Sequence, residues 1–300
     1  MFQTVALVGR YDDDRIPPLV AEICHHLGQQ GRRVLVDPRL AVGLPPAVER
    51  VPEGSFADAA ELILAIGGDG TLLHAARLAL SSPDPCPVMG VNRGRLGFLA
   101  DIRPAELGER LDEVLSGDFQ RDERSLLEAR FAPANGTARR MLAVNDVVLQ
   151  SDQPGRMIDF ESAVDGRYVN THLGDGLVVA TATGSTAYAL SCGGPILQPD
   201  LDVIVVVPIC PHTLSDRPLV LRRDSRVDIR LAARSRASAV VSCDGVPLGE
   251  MAPGSSLTVG PSPSRLTLLH PPGYDYFRVL RSKLHWGRGA HEPETEGGLD

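Results

Sequence analysis

Three short runs of residues carry types and spacings suited to work on phosphate and sugar. Gly67-Gly68-Asp69-Gly70-Thr71 joins an apolar run at 61–66 to a stretch with helical apolar spacing at Leu72, Leu73, Ala76 and Leu80. Glycines let a ligand approach the backbone closely. A helix that starts there offers unpaired N–H groups and the positive end of its dipole to an anion. Asp69 alone would serve as a helix cap. Three glycines around one acid favour a bound ligand, because a cap needs only the acid. The second run is Asp175-Gly176, an apolar strand, then Thr183-Gly184-Ser185-Thr186-Ala187-Tyr188. One of its hydroxyls could cap a short helix ending near Ser191. As a ligand site, it offers hydroxyls to phosphate or sugar and an aromatic face to a base, and Gly193-Gly194-Pro195 allows a further close approach. The third is Asn145-Asp146, inside a strand predicted over 142–149. A carboxylate accepts hydrogen bonds from both hydroxyls of a ribose. An amide and an acid in an apolar run go against strand propensity, which is expected at functional sites. A surface turn or bulge is the alternative.

These runs need a scaffold. Predicted strands at 4–9, 33–37, 61–66 and 87–91 alternate with helical stretches at 19–30 and 71–80. That alternation implies an open, Rossmann-like α/β domain over residues 1–100, with a parallel sheet. Its first loop lies at the carboxyl end of a strand, where ligands bind in such sheets. One more helix is expected at 104–115. From 125 to 271 the pattern changes to short β runs separated by Gly, Pro, Asp and Asn, the pattern of an all-β, sandwich-like domain. Asp165-Gly166 and Asp244-Gly245 read as tight hairpin turns. Residues 287–300 are rich in Gly and Glu and are expected to be a disordered tail.

Composition removes several classes. The 38 acidic residues outnumber the 30 basic ones, giving a formal charge of −8, a poor balance for gripping nucleic acid. Lys283 is the single lysine. It precedes Leu284, so a Walker-type phosphate loop is excluded and a lysine Schiff base disfavoured. The first strand runs into Arg10-Tyr11-Asp12 without the Gly-x-Gly-x-x-Gly dinucleotide fingerprint, and there is no Gly-x-Ser-x-Gly elbow. The histidines show no His-Glu-x-x-His pattern. His74 lies one turn into the helix after the first loop; a lone histidine there is more often structural. The five cysteines are scattered, which argues against a disulfide framework or a zinc site, and Cys192 and Cys243 read as packing residues. No run of about 18 apolar residues predicts a membrane span, and residues 1–13 lack a secretory leader. A cytoplasmic protein without membrane or nucleic-acid partners is expected.

Taken in order, these residues resemble the NAD kinase family of ATP-dependent enzymes. The resemblance also takes in Asn92-Arg93-Gly94-Arg95-Leu96-Gly97-Phe98-Leu99, Gly193-Gly194-Pro195-Ile196, residues 208–218, Cys243-Asp244-Gly245 and Tyr274-Asp275-Tyr276-Phe277. It implies transfer of the γ-phosphate of ATP to the 2′-hydroxyl of the adenosine ribose of NAD. It implies an α/β domain and a β-rich domain (101–273) with the site between them, and a return segment, 274–286, packed on the first domain. By resemblance Asp69 is the general base, and Gly67, Gly68, Gly70 and Thr71 form the phosphate loop. His74, Asn145, Asp146, Arg156, Leu173, Asp175 and residues Thr186, Ala187, Tyr188, Ala189, Leu190 and Ser191 join Asp69 and Gly70 in binding NAD. No metal ligands are implied on the protein: the divalent metal, Mg²⁺, comes with ATP. A homodimer or homotetramer is expected. Two departures stand out. The family's usual Asn-Glu is Asn145-Asp146 here, and Val246 replaces a common Gln. The Gly-Gly-Asp-Gly turn also occurs in lipid and sugar kinases. A regulator that binds NAD without turnover is the non-enzyme alternative.

Overall fold

The computed structural model describes residues 1–40, 43–45, 48–93, 97–153, 155–235 and 237–286. The predicted tail, 287–300, and Gly94, Arg95 and Leu96 of the 92–99 motif lie outside them. The chain divides into two compact units, Met1–Asp122 with Thr267–Asp300, and Glu123–Leu266.

Unit one is an open α/β layer. Its elements are β1 (Thr4–Gly9), α1 (Ile16–Gln29), β2 (Arg33–Val36), β3 (Glu49–Arg50), α2 (Phe56–Ala59), β4 (Leu62–Ile66), α3 (Asp69–Ala79), β5 (Val88–Val91) and α4 (Leu107–Ser116). The strands pair in parallel in the order β3-β2-β1-β4-β5, with Ala6 opposite Ile63 and Leu64 opposite Met89. Every residue of β1 and β4 is buried. That is why these strands read as unbroken apolar runs: helices cover both faces of a parallel sheet. In α4 the buried Leu107, Leu111, Val114 and Leu115 form one stripe, and Gly117, at φ 103°, ends the helix in the left-handed conformation. β1 has β2 on one side and β4 on the other. Chain connections therefore diverge at the carboxyl ends of β1 and β4, leaving a crevice there.

Unit two is a two-layer β sandwich. It contains β6 (Gln120–Ala132), whose first three residues belong to unit one, β7 (Arg139–Ala143), β8 (Asp146–Ser151), β9 (Ile158–Val164), β10 (Arg167–Gly174), β11 (Gly176–Thr181), the short helix α5 (Tyr188–Ser191) and β12 (Val203–Ile209). It continues through β13 (Leu219–Arg222), β14 (Val227–Leu231), β15 (Ala239–Cys243), β16 (Val246–Met251) and β17 (Ser256–His270), whose last four residues belong to unit one. One layer is antiparallel in the order β13-β12-β11-β8-β15-β16; the other runs β10-β9-β14-β17, with β6 on β17 and β7 on β6. Val147, Leu149, Leu177 and Val179 of the first layer meet Phe160, Ile229 and Leu257 of the second. Val178, Ala180, Val205 and Val207, on the opposite face, are covered by Ala182, Ala189 and Leu197. Segment 182–197 thus buries the outer face of β11 and β12, which accounts for continuous apolar runs where an antiparallel strand usually alternates. The helix α6 (Tyr276–Leu284) closes the chain and belongs to unit one. Its side chain cap is Asp275, which accepts from Phe277 N–H.

Both hairpin turns form. Asp165 and Gly166 have φ of 51° and 75°, and Asp244 and Gly245 have 47° and 76°. Positive φ at both central residues is what a two-residue hairpin turn requires. The strand predicted over 142–149 is two strands. β7 ends at Ala143 and β8 starts at Asp146. The Val144 and Asn145 amides leave the ladder for the Asp244 carboxylate, 2.8 Å from each.

Candidate active site

In unit one the first loop follows β4 and leads into α3. Asp69 is the first helical residue, yet it makes no side-chain capping bond to its own helix. Its carboxylate faces the turn after β5. Oδ2 accepts from Phe98 N–H at 3.0 Å, and Oδ1 accepts from Leu99 at 3.0 Å and Ala100 at 3.3 Å. The capping role open in the sequence is thus not the one the carboxylate performs. About four lone-pair sites exist on a carboxylate, so one, on Oδ2, is left for another donor.

The glycines around Asp69 divide by surroundings. A Cβ on Gly97 would overlap Asp69 Oδ1, and one on Gly67 would lie 2.8 Å from Thr71 Cβ. These two let the carboxylate and the loop pack. A Cβ on Gly68 or Gly70 would meet nothing within 4 Å. Both line a cavity of ≈ 460 Å³ in the crevice, with Gly9, Arg10, Tyr11, Thr71, His74 and Arg93. Nothing in the fold fills that space, and a helix N-terminus borders it. His74, 41 % exposed, places Nε2 2.9 Å from Glu53 Oε2. Glu53 also accepts the Tyr11 hydroxyl. Burial pushes the Glu53 carboxyl up, but the His74 and Tyr11 hydrogen bonds outweigh it and leave it below its usual range. Arg10 pairs with Asp12, and Arg93 with Asp13. Lys283 of α6 lies 5.9 Å from the centre of the Phe98 ring.

In unit two the Asn145-Asp146 pair sits at the break between β7 and β8. Asp244 anchors it, accepting from the backbones of Val144, Asn145 and Asp146, the last at 3.1 Å. Thr181 secures the other side: its hydroxyl donates to Val144 O at 2.6 Å and accepts from Gly184 N–H at 3.0 Å. A Cβ on Gly184 would overlap the Asn145 carbonyl, so only glycine fits there. Asp146 is 5 % exposed. Burial, with the charge of Asp244, pushes its carboxyl from 3.8 up to about 7. Asn145 Oδ1 is buried and makes no hydrogen bond among the described residues. Buried polar groups are nearly always paired, so this acceptor points to a missing donor.

The remaining candidates fall unevenly. The hydroxyls of 183–186 do not cap α5. Ser185 donates to Ala182 O and accepts from Leu197 N–H, a fully buried structural bond, and Thr186 donates to Thr183 O. Tyr188 is 36 % exposed beside Cys192, and the Asp175 charge reaches its ring. The Asp146 charge likewise reaches Cys192, which joins the Asn145-Asp146 pair, Asp175 and Tyr188 in one neighbourhood. Ala189 is wholly buried in the core, Leu190 is partly buried, and Ser191 is exposed. Ala187 is half-buried, and Leu173, on β10, is 39 % exposed. Arg156 is exposed beyond the end of β8. The sequence pattern showed Asp244 as a turn residue and Thr181 as a strand residue, gave Tyr11 no role, and did not single out Glu53. Asp-Gly marks a turn, but nothing local says that the same carboxylate gathers three amides from another strand.

A resident metal does not fit this donor set. Among the described residues no three His, Cys, Asp or Glu side chains are grouped as ligands. Three of the lone-pair sites on Asp69 are already committed to amides.

Residues 5–119 match the family profile of the ATP-NAD kinase N-terminal domain, and residues 144–270 that of the ATP-NAD kinase C-terminal domain. The chain is 42 % identical over 288 residues to the NAD kinase of Acinetobacter baylyi, covering 96 % of this chain and 93 % of that one. It is 43 % identical over 290 residues to the NAD kinase of Halorhodospira halophila, covering 95 % and 94 %. Among solved structures, yeast NADH kinase complexed with NADH superposes with a TM-score of 0.87 at 25 % identity, covering 98 % of this chain and 90 % of that one. An NAD kinase from Archaeoglobus fulgidus in complex with ATP shares the fold, with a TM-score of 0.73 at 24 % identity over 94 % and 98 %. With both halves matched by the paired family profiles and relatives above 40 % identity along nearly the whole length, the chain belongs to the ATP-NAD kinase family.

Proposed function

We propose that the chain acts as an ATP-dependent NAD kinase in which Asp69 takes the proton from the adenosine ribose 2′-hydroxyl as that oxygen attacks the γ-phosphate of ATP. One observation supports this above the rest: a carboxylate fixed by three backbone amides, with one acceptor site left, flanked by two glycines that border open space. Such a group needs no reorganisation to accept a proton. General-base help of this kind contributes about 10²–10⁴-fold. Gly67, Gly68, Gly70 and Thr71 form the phosphate loop, and the first N–H groups of α3 receive phosphate oxygens. Arg10, Arg93 and His74 line the cavity and offer N–H donors to the triphosphate. The cation is divalent, Mg²⁺, and it enters with ATP as a substrate complex.

Asn145 and Asp146 hold the adenosine part of NAD. Asn145 Oδ1 supplies the unfilled acceptor, and Asp146 accepts the ribose hydroxyls. Asp175, Tyr188, Thr186 and Ser191 contact the adenine and its ribose, with the backbones of Ala187, Ala189 and Leu190. Arg156 and Leu173 border that site. The enzyme works in the cytoplasm as a homodimer or homotetramer.

A coupled assay tests the reading. Purified protein with NAD and Mg-ATP is expected to yield NADP, detected with an NADP-specific dehydrogenase. Asp69→Asn is expected to lower turnover about 10²–10⁴-fold while NAD binding by calorimetry stays within severalfold. Near-normal turnover removes Asp69 from the base role. Binding without turnover in the unaltered protein favours a regulator. Neither binding nor turnover favours a lipid or sugar kinase.

A further inference from the structure

The groups around Asp69 lead to a buried histidine that the proposed chemistry does not touch. His270 ends β17 and is 1 % exposed. Its Nδ1 lies 2.9 Å from Asp101 Oδ2, and its Nε2 lies 3.4 Å from Asp122 Oδ2. Its ring stacks on Tyr274, with centroids 3.7 Å apart and planes at 9°. Asp101 directly follows Phe98, Leu99 and Ala100, whose amides hold the Asp69 carboxylate.

Among the described residues, several links tie down the turn that carries those amides. Asn92 N–H donates to Ile102 O at 2.8 Å, beside a parallel bridge between Val91 and Ile102. Ala100 lies so close to β5 that a Cβ on Gly90 would come within 2.7 Å of Ala100 Cα. A further tie is the Asp101–His270 link, made by side chains. Burial pushes the His270 imidazole down, but its two carboxylate neighbours outweigh this and raise it above the ordinary value. The shorter of the two contacts, Nδ1 to Asp101 Oδ2, is the one of hydrogen-bond length.

We infer that His270 is a positioning residue for phosphoryl transfer: through Asp101 it holds the Phe98–Ala100 amides against the Asp69 carboxylate. This rests on the reading of Asp69 as the base. Small displacements of a catalytic group cost on the order of 10²-fold in rate, so a loosened turn should act on turnover rather than on substrate binding.

The test is a set of variants assayed for kcat, for KM with NAD and with ATP, and for melting temperature. His270→Gln and Asp101→Asn are made alone, together, and each with Asp69→Asn. Either single change is expected to lower kcat roughly 10- to 100-fold, with both KM values within about threefold. The pair together should cost no more than the worse single change. In the Asp69→Asn protein, adding His270→Gln should alter the residual kcat by less than about twofold, because the positioned group is already disabled. An equal loss in both backgrounds overturns the inference, as does an unchanged kcat or a loss confined to KM. Near-normal turnover of Asp69→Asn with His270 intact overturns the base reading instead, so the two failures are told apart. If His270→Gln does not fold, Asp101→Asn carries the test. If neither folds, both are structural and the inference falls.

Discussion

At the residue scale two carboxylates, Asp69 in unit one and Asp146 in unit two, are managed in opposite ways. Asp69 is ringed by three N–H donors; Asp146 is buried with no such ring and beside a second acid, Asp244, which takes the amides instead. Raising a carboxyl from 3.8 to about 7 means that the folded chain keeps a proton the unfolded chain releases. Stability contributed by this group therefore falls as pH rises between those values, and the cost is complete above 7. Asp146→Asn removes the titration. Urea unfolding at several pH values should show the variant gaining on the unaltered protein from pH 4 upward, by about 4 kcal/mol at pH 8. A pH-independent difference would place the proton elsewhere. The same substitution should weaken NAD binding, since an amide offers one acceptor oxygen to the ribose where a carboxylate offers two. Asn145-Asp146 was visible in the sequence as an acid in an apolar run. Its anchor, Asp244, was not, because that contact joins residues about a hundred positions apart.

At the element scale the glycines make separable predictions. Gly97→Ala puts a methyl group onto Asp69 Oδ1, whereas Gly68→Ala points one into open space. Gly97→Ala should cost about 1–3 kcal/mol in stability from overpacking and lower kcat by at least tenfold. Gly68→Ala should leave the melting temperature nearly unchanged and raise KM for ATP, because its methyl narrows the cavity. Steady-state kinetics and thermal melts on the two proteins separate packing from access; identical profiles would contradict the division. β1, β2, β4 and β5 were legible because parallel, doubly covered strands are written as apolar runs, whereas the two-residue β3 and the one-turn α2 carry no such run. The predicted helix at 104–115 begins as a 3₁₀ turn, Pro104–Glu106, before α4. The break at 144–145 was visible only as the alternative turn or bulge at Asn145-Asp146, since Val144 is apolar and fits the strand pattern on both sides.

At the scale of the whole molecule, unit one is discontinuous: the chain leaves it at Asp122 and returns at Thr267. The return runs along β17, a 15-residue strand that contains Gly260-Pro261-Ser262-Pro263, a sequence that reads as a turn. Only its last five residues, 266–270, were predictable as a strand. Leu268 pairs with Val88, so the returning residues supply the outer neighbour of β5. A chain ended at Leu266 is expected to lose hydrogen-exchange protection across β4 and β5, while amides of β8 and β11 keep theirs. Uniform loss would mean that the units unfold as one. Lys283 rests on the Phe98 ring in this returning segment, and it is the sole lysine of the chain. Reductive methylation with ¹³C-formaldehyde would therefore give one side-chain dimethylamine resonance, alongside that of the N-terminal amine. Its chemical shift feels the ring current of Phe98, so the turn that grips Asp69 carries a built-in magnetic reporter, readable without introducing a single foreign residue.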